Sequence, residues 1–119
     1  MTPRTIAKKI AQWAYDKKAE DILVLDMRTI ANFCDYFVIC TTNNERHLKA
    51  IAGHVIDELD ACGLPVTLKS DMKKSPWIVI DIGDVVIHVF EKGAREFYRL
   101  ERLWQEAKPI PWEPKSVKE

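Results

Sequence analysis

The segment WIVIDIGDVVIHVF, Trp77 to Phe90, decides the reading of the fold. Two apolar runs flank Asp81-Ile82-Gly83-Asp84, a short connection that carries a glycine, and together they predict a β-hairpin. Neither run alternates cleanly between apolar and polar residues, so both strands are expected to be covered on both faces. The polar exceptions, Asp81, Asp84 and His88, fall at or near the turn, while Trp77 stands at the strand entrance after Pro76. The expectation is an indole, two carboxylates and an imidazole gathered around one end of a rigid sheet, as a binding surface or an active site.

Upstream of the hairpin, Val66 to Lys69 reads as a shorter strand and Ser70 to Ser75 as a polar, lysine-bearing loop. Pro3 to Lys18 predicts a helix with Ile6, Ile10, Trp13 and Ala14 on one stripe. ILVLDM from Ile22 and DYFVICT from Asp35 are apolar strands joined by Arg28 to Cys34. Thr42-Asn43-Asn44-Glu45 matches a capping box with Thr42 as the cap. The helix it opens carries Leu48, Ile51, Ala52, Val55, Leu59 and Cys62 at helical spacing and ends at Gly63 and Pro65.

Downstream, a last helix from about Ala94 to Lys108 turns Phe97, Leu100, Leu103 and Trp104 toward the core. The order α-β-β-α-β-β-β-α predicts a single α/β domain over residues 1–108, with a mixed five-stranded sheet flanked by helices. PIPWEPKSVKE, residues 109–119, has three prolines and no periodicity and reads as a proline-rich mobile tail.

At 119 residues the chain buries about two-thirds of its unfolded surface as one domain. Eighteen basic and eighteen acidic residues cancel, so the broad positive field of a sequence-independent nucleic-acid binder is missing. Local patches remain, because Lys8, Lys9, Lys17 and Lys18 cluster early and Arg95, Arg99 and Arg102 cluster late. No apolar run approaches the roughly 18 residues of a membrane span, and the first twenty residues do not form a signal peptide. The expected address is the cytoplasm. Cys34, Cys40 and Cys62, an odd count, fit reduced thiols better than a disulfide framework.

The chemistry-bearing residues do not form a complete catalytic pattern. His47 and His54 lie two helical turns apart, about 10 Å, too far to share one metal ion with bonds of about 2 Å. Cys34 and His88 could meet in space, yet nothing around Cys34 marks a strained elbow or oxyanion loop. Four scattered glycines supply no phosphate cradle. No metal and no cofactor are expected.

Asp26, Asp35, Asp81 and Asp84 fall at strand ends, where α/β folds place their sites. Two-metal phosphoryl transfer wants carboxylates around ions about 4 Å apart, but here D-x-x-D crosses a turn. Asp81 and Asp84 therefore read first as turn-stabilising acids, next as partner contacts, and last as catalytic groups. Trp77 is either core or an interface anchor. Arg46 and His47 sit in a first helical turn, where the dipole favours acids, which fits an external acidic partner or a solvated face.

KKAEDILVLDM, DYFVICTTNNERH, WIVIDIGDVVIHVF and FYRLERLW, in that order, resemble the ribosome-silencing factor family, also called Iojap-like. The resemblance runs from about Ile6 to Ala107. It implies a fold similar to nucleotidyltransferases without their catalytic loop and acids. It also implies binding to the large ribosomal subunit through its protein numbered fourteen, which blocks joining of the small subunit and represses translation when nutrients are short. Members often form homodimers when isolated. The positions matching the family's motifs are Asp35, Arg46, His47, Trp77, Asp81, Asp84, His88, Arg95, Tyr98, Leu100 and Trp104. The chain departs from the family pattern at Thr42, where a glycine is usual, and in the loop KSDMKKSP.

The reading is a translational repressor with no enzymatic activity, which docks a sheet edge and neighbouring helix against a ribosomal protein. Trp77 is the expected anchor; Asp81, Asp84 and Glu101 face basic residues of the partner; His88, Arg95, Tyr98, Arg46 and His47 complete the contact. No membrane and no sequence-specific nucleic acid are expected as partners. One rival is a nucleotidyltransferase or phosphohydrolase using Asp35, Asp81 and Asp84 with magnesium. Another is a sheet edge that serves self-association alone.

Overall fold

The structure is a computed structural model and describes residues 2–69 and 75–113, except the side chains of Leu68, Glu101 and Leu103. The loop Ser70 to Lys74 and the last six residues lie outside the described residues. Thr2 caps helix α1 (Pro3–Asp16) by accepting the Thr5 amide, with Pro3 at the first helical position, and Ile6, Ala7, Ile10, Ala11 and Ala14 form its buried stripe. Strands β1 (Glu20–Asp26) and β2 (Tyr36–Thr42) follow, then helix α2 (Glu45–Ala61) and a two-residue β3 (Leu68–Lys69). The predicted hairpin is β4 (Trp77–Asp81) and β5 (Val85–Glu91). Helices α3 (Lys92–Tyr98) and α4 (Leu100–Leu103) and a two-residue β6 (Lys108–Pro109) complete the order.

The sheet order is β3-β4-β5-β2-β1-β6. Only β2 and β5 run parallel; every other pair is antiparallel, so the sheet is mixed as expected. The five expected strands are present, and β6 adds a short sixth at the edge. The central pair is fully buried except at Glu91. One face, through Val38, Cys40, Ile78, Ile80, Ile87 and Val89, packs under α1 and α2. The other, through Leu25, Phe37, Ile39, Val86 and Phe90, is covered by residues of the β1–β2 connection and the C-terminal segment, including Met27, Cys34 and Leu100.

Several local expectations are corrected. β4 does alternate in burial, Ile78 and Ile80 inward and Trp77, Val79 and Asp81 half-buried, because its second face is only partly covered. Thr42 is not a helix cap; it is the buried end of β2, its hydroxyl donating to the Phe90 carbonyl. Asn44 caps α2 instead, its side-chain oxygen accepting the His47 amide at 2.9 Å. Cys62 is exposed at the end of α2, whereas Cys34 and Cys40 are buried free thiols.

The last helix is not continuous. Arg99 adopts a left-handed conformation (φ 47°) between α3 and α4, and the turn leaves Phe97 80% exposed while Leu100 is buried. No glycine or proline marks this break in the sequence.

Residues 108–113 are docked on the body, which corrects the expectation of mobility for that part of the tail. Lys108 and Pro109 pair with Asp26 and Leu25, and the Ile110 amide donates to the Val24 carbonyl at 2.8 Å. The Trp112 indole donates to the Ile22 carbonyl and lies 5.7 Å from the Tyr15 ring, while Gln12 donates to the Trp112 carbonyl. The segment thereby covers the open edge of β1, an edge that would otherwise invite pairing with another chain. Trp112→Ala is expected to destabilise the fold by about 2 kcal/mol through lost burial and one hydrogen bond. Urea unfolding would show a lower midpoint at unchanged slope, with faster amide exchange from Ile22 to Leu25.

Candidate binding face

Trp77 enters β4 with its backbone fixed by Ser75, whose hydroxyl donates to the Trp77 carbonyl at 2.7 Å. Its cross-strand partner is Phe90, and the two rings stack with centroids 4.9 Å apart at 24°. The indole N–H donates to Nδ1 of His88 at 3.2 Å. Tyr98, 45% exposed, brings its ring to 5.0 Å from the indole, and Phe97 meets Tyr98 edge-on at 5.1 Å. On the other side Phe37 packs edge-on against His88 at 4.6 Å, and Trp104 and Phe33 extend the contact. Phe33 is 56% exposed. One sheet face thus carries a continuous aromatic band from Phe97 to Phe33, with rings at both ends open to solvent.

His88 supports the band from beneath and is itself buried, so it presents no surface to a partner. Because Nδ1 accepts from the indole, the neutral ring holds its proton on Nε2, which has no hydrogen-bond partner among the described residues. Burial pushes its pKa down to about 4, since a charged imidazole would be stranded from water.

The carboxylates are not where the sequence reading gathered them. A hairpin puts its strand entrance and its turn at opposite ends, so Asp81 lies four strand steps from Trp77, about 13 Å along β4, and Asp84 lies beyond it in the turn. The Asp81 carboxylate accepts the Gly83 amide at 2.7 Å and closes the turn, where Gly83 takes a positive φ of 98°. Asp84 is exposed, and its carbonyl accepts the Asp35 and Tyr36 amides. Asp26 is engaged by Arg28, whose guanidinium forms two bonds to the carboxylate and holds its pKa below the usual range.

Three further expected contacts, His47, Arg46 and Arg95, sit elsewhere. His47 links α1 to α2: Nδ1 accepts the Asn43 amide at 3.1 Å and Nε2 donates to the Lys17 carbonyl at 2.8 Å. Arg46 is exposed beside it, on the helical layer opposite the aromatic band. Arg95 is half-buried and turns away from Tyr98, donating to the Thr41 hydroxyl at 2.8 Å and to the Asp21 carbonyl. Glu101 belongs to α4, but its side chain lies outside the described residues.

This arrangement is poor in catalytic means. Asp35, Asp81 and Asp84 cluster at the amino ends of the parallel pair, whereas α/β folds bind ligands at the carboxyl ends. Among the described residues, no three His, Cys, Asp or Glu side chains converge to hold a metal ion. Burial, with the carboxylates of Asp81 and Asp35 nearby, pushes the Cys34 thiol up to about 11, where it stays protonated and unreactive. No helix of the described residues is long and apolar enough to cross a membrane.

Comparison with known proteins gives this face a context. All 119 residues match the family described as "Ribosomal silencing factor during starvation". The chain belongs to the ribosomal silencing factor family, RsfS. Over 107 residues it is 42% identical to the ribosomal silencing factor RsfS of Bacillus subtilis, covering 90% of this chain and 91% of that protein. The chloroplastic protein Iojap of Zea mays is 32% identical over 106 residues, which span 89% of this chain and 46% of Iojap. A crystal structure of a protein from Chromobacterium violaceum superposes with a TM-score of 0.85 at 26% identity, covering 99% of this chain and 98% of that one. RsfS proteins are named for a regulatory role on ribosomes rather than for a catalysed reaction.

Sequence reasoning singled out Trp77 and Tyr98 but missed Phe33, Phe37, Phe97 and Trp104 as members of the same face. Phe97 and Trp104 read as core at helical spacing, and only the break at Arg99 separates them. Phe33 gave one usable signal: an aromatic in a short connection with no apolar stripe of its own.

Proposed function

We propose that this protein silences ribosomes by docking its aromatic band on the large subunit, through the subunit's protein numbered fourteen. Its bulk there blocks joining of the small subunit and represses translation when nutrients are limiting. The observation that supports this reading is the half-open aromatic band in a chain of the RsfS family. A cluster of tryptophan, tyrosine and phenylalanine, with the Trp77 indole N–H held by His88, is the composition of an interface hot spot. The mechanism is occlusion; no bond is made or broken.

Within it Trp77 is the anchor, His88 holds the indole orientation, and Tyr98 and Phe97 widen the contact. Asp81 and Asp84 at the far end of the hairpin, with Glu101, would face basic residues of the partner and set orientation and association rate. Arg95 acts by fixing α3 to the sheet. Arg46 and His47, on the other layer, lie outside this contact. A second copy covering the same band would give a homodimer that competes with docking, so subunit binding should weaken as protein concentration favours the dimer. On this reading the protein works in the cytoplasm.

Sucrose-gradient sedimentation tests the docking step. The protein should co-migrate with isolated large subunits and be absent from assembled ribosomes. Protein left at the top of the gradient beside free large subunits would reject the reading.

A further inference from the structure

Beside the aromatic band, α3 lines a cleft of about 600 Å³ whose chemistry is different. Lys92, Arg95, Arg99 and Arg102 supply four cations, against the carboxylates of Asp21 and Glu96 in the lining and of Glu20, 3.9 Å from the Lys92 ammonium. All four line the same cleft although the left-handed Arg99 breaks the helical repeat between α3 and α4. In a chain with no net charge, this is a local concentration of positive potential.

The cleft is built, not incidental. Arg95 is clamped by the Thr41 hydroxyl and the Asp21 carbonyl, and the Nε of Arg99 donates to the Glu96 carbonyl at 3.1 Å. Two non-glycine residues with left-handed backbone line it: Asp21 (φ 48°), at the irregularity in β1, and Arg99 (φ 47°). Such conformations cost about 1–3 kcal/mol each and collect at functional sites. The position agrees, because Thr41 and Lys92 mark the carboxyl ends of the parallel strands β2 and β5, where α/β sheets receive ligands.

The lining also limits the ligand. It contains no aromatic ring on which a nucleobase could stack, and its cations are arginines and a lysine suited to phosphate oxygens. We infer that this cleft binds the sugar-phosphate backbone of RNA without reading its sequence. On the docking reading above, on which this placement rests, a ribosomal RNA strand lies in the cleft while a ribosomal protein covers the adjoining aromatic band. The band supplies specificity and the cleft a salt-dependent share of affinity.

The test uses the full chain and the double variant Arg99→Gln/Arg102→Gln, whose side chains are exposed and whose folding is checked by circular dichroism. Binding of fluorescein-labelled single-stranded RNA 12-mers of two unrelated sequences is followed by anisotropy across a salt series, with guanosine triphosphate and inorganic phosphate as separate probes. The wild type should bind both RNAs alike. The double variant should lose about tenfold in affinity, with the slope of log K against log salt reduced by about 1 to 2. Lys92→Gln should lose less, in the same direction.

No RNA binding by the wild type, or equal affinity and slope in the double variant, would overturn the inference. So would cleft-dependent binding of the nucleotide without binding of RNA. A parallel arm measures co-sedimentation with large subunits. Cleft-dependent RNA binding by a protein that ignores large subunits would uphold the cleft and reject the docking reading instead.

Discussion

Trp77→Ala is expected to weaken binding to isolated large subunits by at least about 2 kcal/mol, roughly thirtyfold, as truncation of a central aromatic anchor does. The indole stacks on Phe90, meets Tyr98 and is oriented by its bond to His88, so its open face is held in one position before any partner arrives. That preorganisation removes the ordering cost a free surface side chain would incur on binding. Because the same contacts support the fold, the variant must be compared at matched folded fraction. Phe97→Ser gives an independent check: Phe97 is 80% exposed and touches Tyr98, so its loss should leave stability within about 0.5 kcal/mol while weakening docking. Equilibrium binding to fluorescently labelled subunits reads both. Wild-type affinity in both variants would remove the aromatic band from the interface.

The second large effect concerns pH. His88 titrates at about 4 in the folded protein against an ordinary value near 6.5. Between these values the unfolded chain binds a proton that the folded chain does not, so stability rises with pH there. The contribution is complete above about pH 6.5 and is lost progressively as pH falls to about 4, on the order of 3 kcal/mol in all. His88→Phe fills the same space beside Phe37 and removes the titration, at the expense of leaving the Trp77 N–H without its acceptor. Stability from urea unfolding at pH 7 and pH 4.5 should fall less in His88→Phe than in the wild type. An equal fall in both would show that His88 is not the group responsible.

Much of the architecture was legible because it rests on local periodicity. The apolar runs of β2 and β5, the stripes of α1 and α2, and the glycine of the β4–β5 turn each carry their own signal. What escaped depends on contacts remote in sequence. Nothing near Arg99 announces a left-handed residue, so Phe97 looked like core. Nothing within the proline-rich segment shows that Trp112 finds the Ile22 carbonyl, ninety residues away.

The site divided along the same line. Trp77 was legible from its place at a strand entrance, but its distance from Asp81 and Asp84 follows from the hairpin's own length, which local polarity obscured. The switch of Arg95 from interface residue to brace depends on Thr41, far away in the chain.

Subunit joining, followed by light scattering as small subunits are added to large subunits preincubated with the protein, probes the wedge mechanism most directly. Joining should fall as the protein approaches saturation of the large subunit and recover with Trp77→Ala at the same concentration. Full joining in the presence of saturating, demonstrably bound wild-type protein would contradict the account.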